Sequence, residues 1–104
     1  MTLQDLRDLL GTIGLPIAHY EMLDQPDRYI VWAEYICSPL CADNNQSEIL
    51  WKVQIDLFTK TEYDPAAESV VEALLKNEVA IIDRSTTYET DTGYIHHIYD
   101  VEVT

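Results

Sequence analysis

The amino-acid sequence predicts an α+β fold: an antiparallel β-sheet with two helices packed on one side, in the order α-β-β-β-α-β-β. Three observations carry that expectation. First, Glu48–Lys60 alternates with period two, placing Ile49, Trp51, Val53, Ile55 and Leu57 on one face and Leu50, Lys52, Gln54, Asp56 and Phe58 on the other. Second, Thr2–Gly11 and Pro65–Lys76 carry their apolar residues at helical spacing. Third, the remaining alternating stretches run in sequence as short strands joined by turn-forming residues, which favours antiparallel neighbours with helices gathered on one side. Glu48–Lys60 is the longest strand and is expected at the centre of the sheet.

The first helix places Leu3, Leu6, Leu9, Leu10 and Ile13 along one stripe. Thr2 is its expected N-cap, and Asp5 three residues on completes a capping box. Gly11, Gly14 and Pro16 end it. Ile17–Met22 is short and extended, and Asp24-Gln25-Pro26-Asp27 is a turn by composition. Arg28–Ile36 is a second strong strand, with Tyr29, Val31, Ala33 and Tyr35 on one face and Ile30, Trp32, Glu34 and Ile36 on the other. Cys37–Ser47 reads as a loop, since Pro39 removes a ladder donor and Ala42-Asp43-Asn44-Asn45 offers a tight turn.

In the second helix Asp64 is the expected N-cap and Pro65 sits at the first helical position, where its missing N–H costs nothing. Ala67, Val70, Val71, Leu74 and Leu75 form the stripe expected to be buried, with Glu68, Glu72 and Lys76 on the wet face. Val79–Tyr88 and Tyr94–Val103 then make a hairpin around Glu89–Gly93. Its last strand alternates Ile95, His97, Tyr99, Val101 and Val103 against Tyr94, His96, Ile98, Asp100 and Glu102.

The chain has 104 residues and is 47% hydrophobic, enough for a single domain, 1–104, with one modest core. Six Lys and Arg stand against 19 Asp and Glu, a formal net charge of −13. That balance argues against duplex DNA or RNA as a direct ligand and against an anionic membrane surface, both of which are bound through basic surface. It favours a solubility role or a match to a basic protein. No segment reaches the ~18 consecutive apolar residues of a membrane span. MTLQDLRDLL carries acidic residues and no cationic leader, so no signal peptide is expected. A cytoplasmic setting with Cys37 and Cys41 reduced follows as an expectation.

No catalytic or cofactor-binding constellation stands out, and no cofactor is expected. Zinc needs about four Cys, His or carboxylate ligands. Cys37 and Cys41 have acceptable spacing, but His96 and His97 are adjacent in a strand and point to opposite faces. A Cys–His nucleophile lacks any setting that would lower the thiol pKa. The three glycines, Gly11, Gly14 and Gly93, form no phosphate loop. Seven tyrosines are many for this length. Ordinary cross-strand pairing accounts for them, and an interaction surface is the alternative. Two short helices cannot cover both faces of such a sheet, so a partner is expected on the other.

The order of segments resembles the small tail-completion, or tail-terminator, proteins of long-tailed bacteriophages and prophages, which act at the head–tail joint. The resemblance lies in an N-terminal helix, "GLPIAHYEM", the extended "DRYIVWAEY", the polar "CADNNQ" leading into "EILWKVQIDLFTKTEYDPAAESVVEALL", and the terminal "TTYETDTGYIHHIYDVEV". Cys37 and Cys41 depart from it. The resemblance implies a non-enzymatic virion protein that assembles with itself into rings, typically hexameric. It caps the tail tube protein, docks on head connector proteins, and passes DNA only as cargo through a channel. It implies residence in the virion tail, and in host cytoplasm during assembly. The contacts expected are Cys41, Asp43, Asn44, Asn45 and Gln46 in Cys37–Ser47, with Glu89, Asp91 and Tyr94 at the hairpin tip. A monomeric acidic adaptor or inhibitor that docks on a basic protein is the alternative. A thiol or metal enzyme using Cys37, Cys41 and one histidine is a weaker third.

Overall fold

The computed structural model describes residues 1–42 and 45–104, with side chains described outside 39–49. The elements are α1 (Leu3–Gly11), β1 (Ile17–His19), β2 (Tyr29–Ala42), β3 (Asn45–Thr59), α2 (Ala66–Lys76), β4 (Ala80–Tyr88) and β5 (Ile95–Val103). The strands form one five-stranded sheet in the order β1-β2-β3-β5-β4, with β3 in the middle. The fold is α+β, in the element order the sequence predicts. β2–β3, β3–β5 and β5–β4 are antiparallel, whereas the short β1 runs parallel to β2. Residues 20–28 carry the chain back to the starting end of β1 before β2 begins, so these two strands do not form a hairpin.

Both helices lie on one face. Leu6, Leu9 and Leu10 of α1 and Ala66, Ala67, Val70 and Leu74 of α2 pack on Ile30 and Trp32 of β2, Val53, Ile55 and Leu57 of β3, and Tyr99, Val101 and Val103 of β5. Tyr99 is fully buried, and its hydroxyl donates to the Ala67 carbonyl at 2.8 Å, tying β5 to the first turn of α2. Burial pushes that hydroxyl's pKa up to about 12. The α2 stripe is narrower than predicted: Val71 is half-buried and Leu75 is exposed. The sheet beneath is already filled by Val70 and Leu74.

Helix ends follow local chemistry. The Thr2 hydroxyl accepts from Asp5 N–H at 3.0 Å and the Asp5 carboxylate accepts from Thr2 N–H at 2.8 Å, the predicted capping box. Helix α2 begins one residue later than expected, but Asp64 still serves its start, accepting from Ala66 N–H at 2.9 Å. The same buried carboxylate takes two parallel 2.8 Å bonds from Arg28, which leads into β2. Burial pushes the Asp64 carboxyl up. The Ala66 and Arg28 hydrogen bonds and the Arg28 charge outweigh that and hold it below the ordinary carboxylate value. Helix α2 ends in a Schellman motif: Val79 N–H donates to Leu74 O at 3.0 Å and Glu78 N–H to Leu75 O at 3.1 Å. Glu78 therefore occupies the left-handed region, with φ +62°.

Two expectations are overturned. The described residues of Cys37–Ser47 are not loop but strand: β2 runs to Ala42 and β3 starts at Asn45, pairing through Cys37↔Trp51, Pro39↔Ile49 and Leu40↔Glu48. Proline is tolerated here because β1 pairs with β2 only as far as Trp32, which leaves the outer side of β2 an edge. Ile36 also does not share the face of Trp32. The register slips between Glu34, opposite Val53, and Ile36, opposite Lys52, so a β-bulge at Tyr35 turns Ile36 to the other face.

Glu78→Gly removes the left-handed strain and is expected to stabilise the protein by about 1 kcal/mol, raising Tm by roughly 4 °C in a thermal melt. Asp64→Asn is expected to cost roughly 1–2 kcal/mol at pH 7, because it removes the charge from a paired, buried carboxylate whose partner is itself half-exposed. A carboxylate with a lowered folded pKa stabilises above its ordinary value, and that stabilisation is lost as pH falls through the folded value. Urea titrations from pH 7 to pH 3 should therefore show the wild-type advantage shrinking below about pH 4.

Candidate interaction surface

With both helices on one face, the opposite face of the sheet is left to side chains alone. Alternation and register place Tyr29, Val31 and Ala33 of β2 there, with Lys52, Gln54, Asp56 and Phe58 of β3, His96, Ile98, Asp100 and Glu102 of β5, and Asp83, Ser85 and Thr87 of β4. Its two ends differ in chemistry.

One end is sealed by aromatic rings. Tyr29 stacks on Phe58 with centroids 4.6 Å apart, and Tyr94 meets them edge-on at 5.7 and 5.8 Å. Phe58 also stacks on His96 at 4.2 Å, and the Lys60 ammonium lies 4.5 Å from the Tyr94 ring centre. Tyr29, Val31 and Tyr94 are buried in this second, smaller core, with Met22 and Phe58 against it. The Tyr94 hydroxyl donates to the Gln25 and Pro26 carbonyls at 3.0 and 2.7 Å and so pins the turn between β1 and β2. His96 Nε2 lies 2.8 Å from Asp56 Oδ1, and its Nδ1 lies 3.6 Å from Glu89 Oε2.

The other end is acidic and open. Asp83, Asp100 and Glu102 line one depression together with Lys52, and the Tyr35 hydroxyl donates to Asp100 Oδ1 at 3.3 Å. Beyond this end the sheet thins to a two-stranded ribbon. β5 pairs with β3 only from Trp51 onward, so residues 45–50 of β3 pair with β2 alone. Six residues at about 3.3 Å each make an arm of about 20 Å. The molecule's long dimension of 50 Å, against 25 and 22 Å, matches the full length of β3.

Among the predicted contact residues, Cys41, Asn45 and Gln46 lie on the strands of this arm. Asp43 and Asn44 lie outside the described residues. Glu89 and Asp91 sit far along the chain from the arm, in a compact tip closed by Glu89 N–H to Tyr94 O at 2.9 Å and Gly93 N–H to Glu89 O at 2.8 Å. Gly93, at φ +79°, supplies the left-handed turn. Tyr94 is buried, and its ring and hydroxyl are both engaged within the chain. The tyrosines thus divide: Tyr29, Tyr94 and Tyr99 are core, while Tyr20, Tyr35, Tyr63 and Tyr88 are exposed.

The three histidines occupy separate environments. His19 lies between the Trp32 and Tyr20 rings and pairs with Glu34. His96 is on the open face, and His97 is on the helix face with its Nδ1 3.4 Å from the Thr86 hydroxyl. Burial, then the Arg84 charge, holds the His97 imidazole below its ordinary pKa. His97 borders a wide groove of about 870 Å³ between the start of α2 and the β4–β5 hairpin. Its charges are largely matched internally, Arg84 to Glu68 at 2.6 Å and Asp64 to Arg28. Among the described residues no three His, Cys, Asp or Glu side chains converge as a metal site. None of the described helices is long and apolar enough to cross a membrane.

No protein-family model matches the chain, and no curated protein matches its sequence. The geometry therefore carries the functional reading together with the order of its segments.

The sequence places Tyr35 on the face of Tyr29 and Val31, as found, but it missed that Ile36 and Ile82 join Tyr35 on that face beside the acidic end. The available signal was a pair of adjacent apolar residues in each strand, Tyr35-Ile36 and Ile81-Ile82, where strict alternation allows one. Tyr94→Phe keeps the aromatic packing and loses only the hydroxyl bonds to the turn. It is expected to cost about 1 kcal/mol in chemical denaturation and to speed amide exchange across residues 24–28.

Proposed function

We propose that this protein is a virion structural component of a long-tailed bacteriophage or prophage. It completes the tail and joins it to the head connector, by self-assembly into a ring and by protein docking, without catalysis. The observation that carries the reading is the β2–β3 arm. Among the described residues, β2 has no neighbour on its outer side past Trp32, and β3 has none on its outer side before Trp51. A two-stranded arm of about 20 Å with both edges unpaired is poorly suited to isolation. It is suited to strand addition against a neighbouring subunit or a tube end.

A ring needs a heterologous contact, one patch meeting a different patch on the next copy. The arm supplies one such patch, and the exposed edge strand β4 at the far side of the sheet supplies a candidate receptor. The partners in this reading are further copies, the tail tube protein and head connector proteins, and DNA passes as cargo. The net charge of −13 suits a channel wall that does not grip phosphate. The setting is the virion tail, and host cytoplasm during assembly.

Sedimentation velocity across a wide concentration range, alone and with purified tail tubes, tests the reading. Rings or binding confined to tube ends are the expected outcome. Replacing Asp43 and Asn44 together by alanine should weaken that assembly while moving Tm by less than about 1 °C, because polar residues of these types contribute little to an apolar core. A strict monomer that ignores both tubes and head connectors would overturn it and leave the acidic adaptor.

A further inference from the structure

Two strands on opposite sides of the central pair break register at the same level of the sheet. In β2 the slip lies between Glu34, opposite Val53, and Ile36, opposite Lys52. In β4 it lies between Ile81, opposite Val101, and Asp83, opposite Asp100. Val53 and Val101 are themselves paired, so the two bulges flank one rung. A bulge re-aims side chains that strict alternation would send elsewhere. Here the outcome is an open-face patch in which Tyr35, Ile36 and Ile82 are 53%, 44% and 54% exposed. Tyr35, Ile82, Asp83, Asp100, Glu102 and Lys52 line one shallow depression of about 180 Å³. Partial burial, then the negative charge of Asp100, raises the Tyr35 hydroxyl above its ordinary pKa, with Glu102 and Asp83 adding to it.

We infer that this patch docks a basic protein surface, one that presents an apolar side chain flanked by lysine or arginine. Charge complementarity selects that occupant. The apolar centre asks for an apolar anchor, and the three carboxylates around it ask for cations at its rim. A second copy of the chain does not meet that need. It has six Lys and Arg in all. Arg7 faces Asp8, Arg28 faces Asp64, Lys60 faces Asp27 and Arg84 faces Glu68, while Lys76, beside exposed Leu75 in the last turn of α2, is a single cation with Glu72 and Glu78 near it in the chain, set against three carboxylates. Lys52 lies inside the patch itself. Two patches face to face would oppose carboxylates. The inference rests on the docking reading above, but not on ring formation.

The probe is the amidated peptide KKLWKK, titrated at low salt into the full ¹⁵N-labelled chain, with KKGSKK as the charge-matched control. Amide shifts are expected to concentrate at residues 34–36, 52–54, 81–83 and 100–102, with KKGSKK several-fold weaker. Tyr35→Ser with Ile82→Ser, both exposed and so compatible with an unchanged melt, should weaken KKLWKK about tenfold. Asp100→Asn with Glu102→Gln should weaken both peptides. Shifts spread over every acidic face, equal binding of the two peptides, or no effect of the serine pair would overturn the inference. Purified tail tubes separate it from the broader reading. Tubes that bind wild type and the serine variant equally keep tail docking and overturn the patch. Tubes that bind neither, with KKLWKK still mapped to the patch, keep the patch and remove that tail contact.

Discussion

The constraint on which this structure depends is a shortage of helix. Two helices of nine and eleven residues span about 14 and 17 Å. They must back a sheet whose central strand alone runs 15 residues, about 50 Å. They cover one face of the middle of the sheet and nothing more. Leu6, Leu10, Val70 and Leu74 fill that contact, and the Tyr99 hydroxyl and the Asp64 carboxylate lock α2 to the strands around it. Every other surface of the sheet has to be completed by side chains, left to solvent, or met by another molecule.

The molecule uses different devices along its length. Where β2, β3 and β5 meet the β1–β2 turn, aromatic rings replace a missing layer: Tyr29, Phe58 and Tyr94 bury one another, and His96 closes the stack. Farther along, carboxylates keep the face hydrated around exposed Tyr35 and Ile82. Beyond Trp51 only two strands remain, with unpaired edges among the described residues. The unsatisfied surface therefore rises from the aromatic end to the arm, which makes the arm end the natural direction of contact in the proposed assembly.

Much of this was legible in the chain. The capping box of Thr2 and Asp5, the Asp64-Pro65 start of α2, the alternation of Glu48–Lys60 and the final hairpin are local signals, and each reappears where its chemistry places it. The loop reading failed for a compositional reason. Asn45–Ser47 and Cys37–Ala42 look like loop because their residues are poor intrinsic strand formers, yet they pair because the strands behind them already hold the register. The candidate surface was less legible, because a residue's type does not say whether a bulge lies beside it. Tyr94 was expected at a contact and is buried, while Tyr35 and Ile82 carry the exposed face.

By itself the sequence determined the number and order of helices and strands, the local chemistry of the helix starts, that one strand lies at the centre, and that one face of the sheet lacks helical cover. Those follow from periodicity, capping and length, which act over a few residues. Only the tertiary structure decided that β1 runs parallel to β2, that the predicted loop is an arm, that two bulges meet at one rung, and which tyrosines are core. Those depend on cross-strand register and on what lies across the sheet, and both are set by residues distant in the chain.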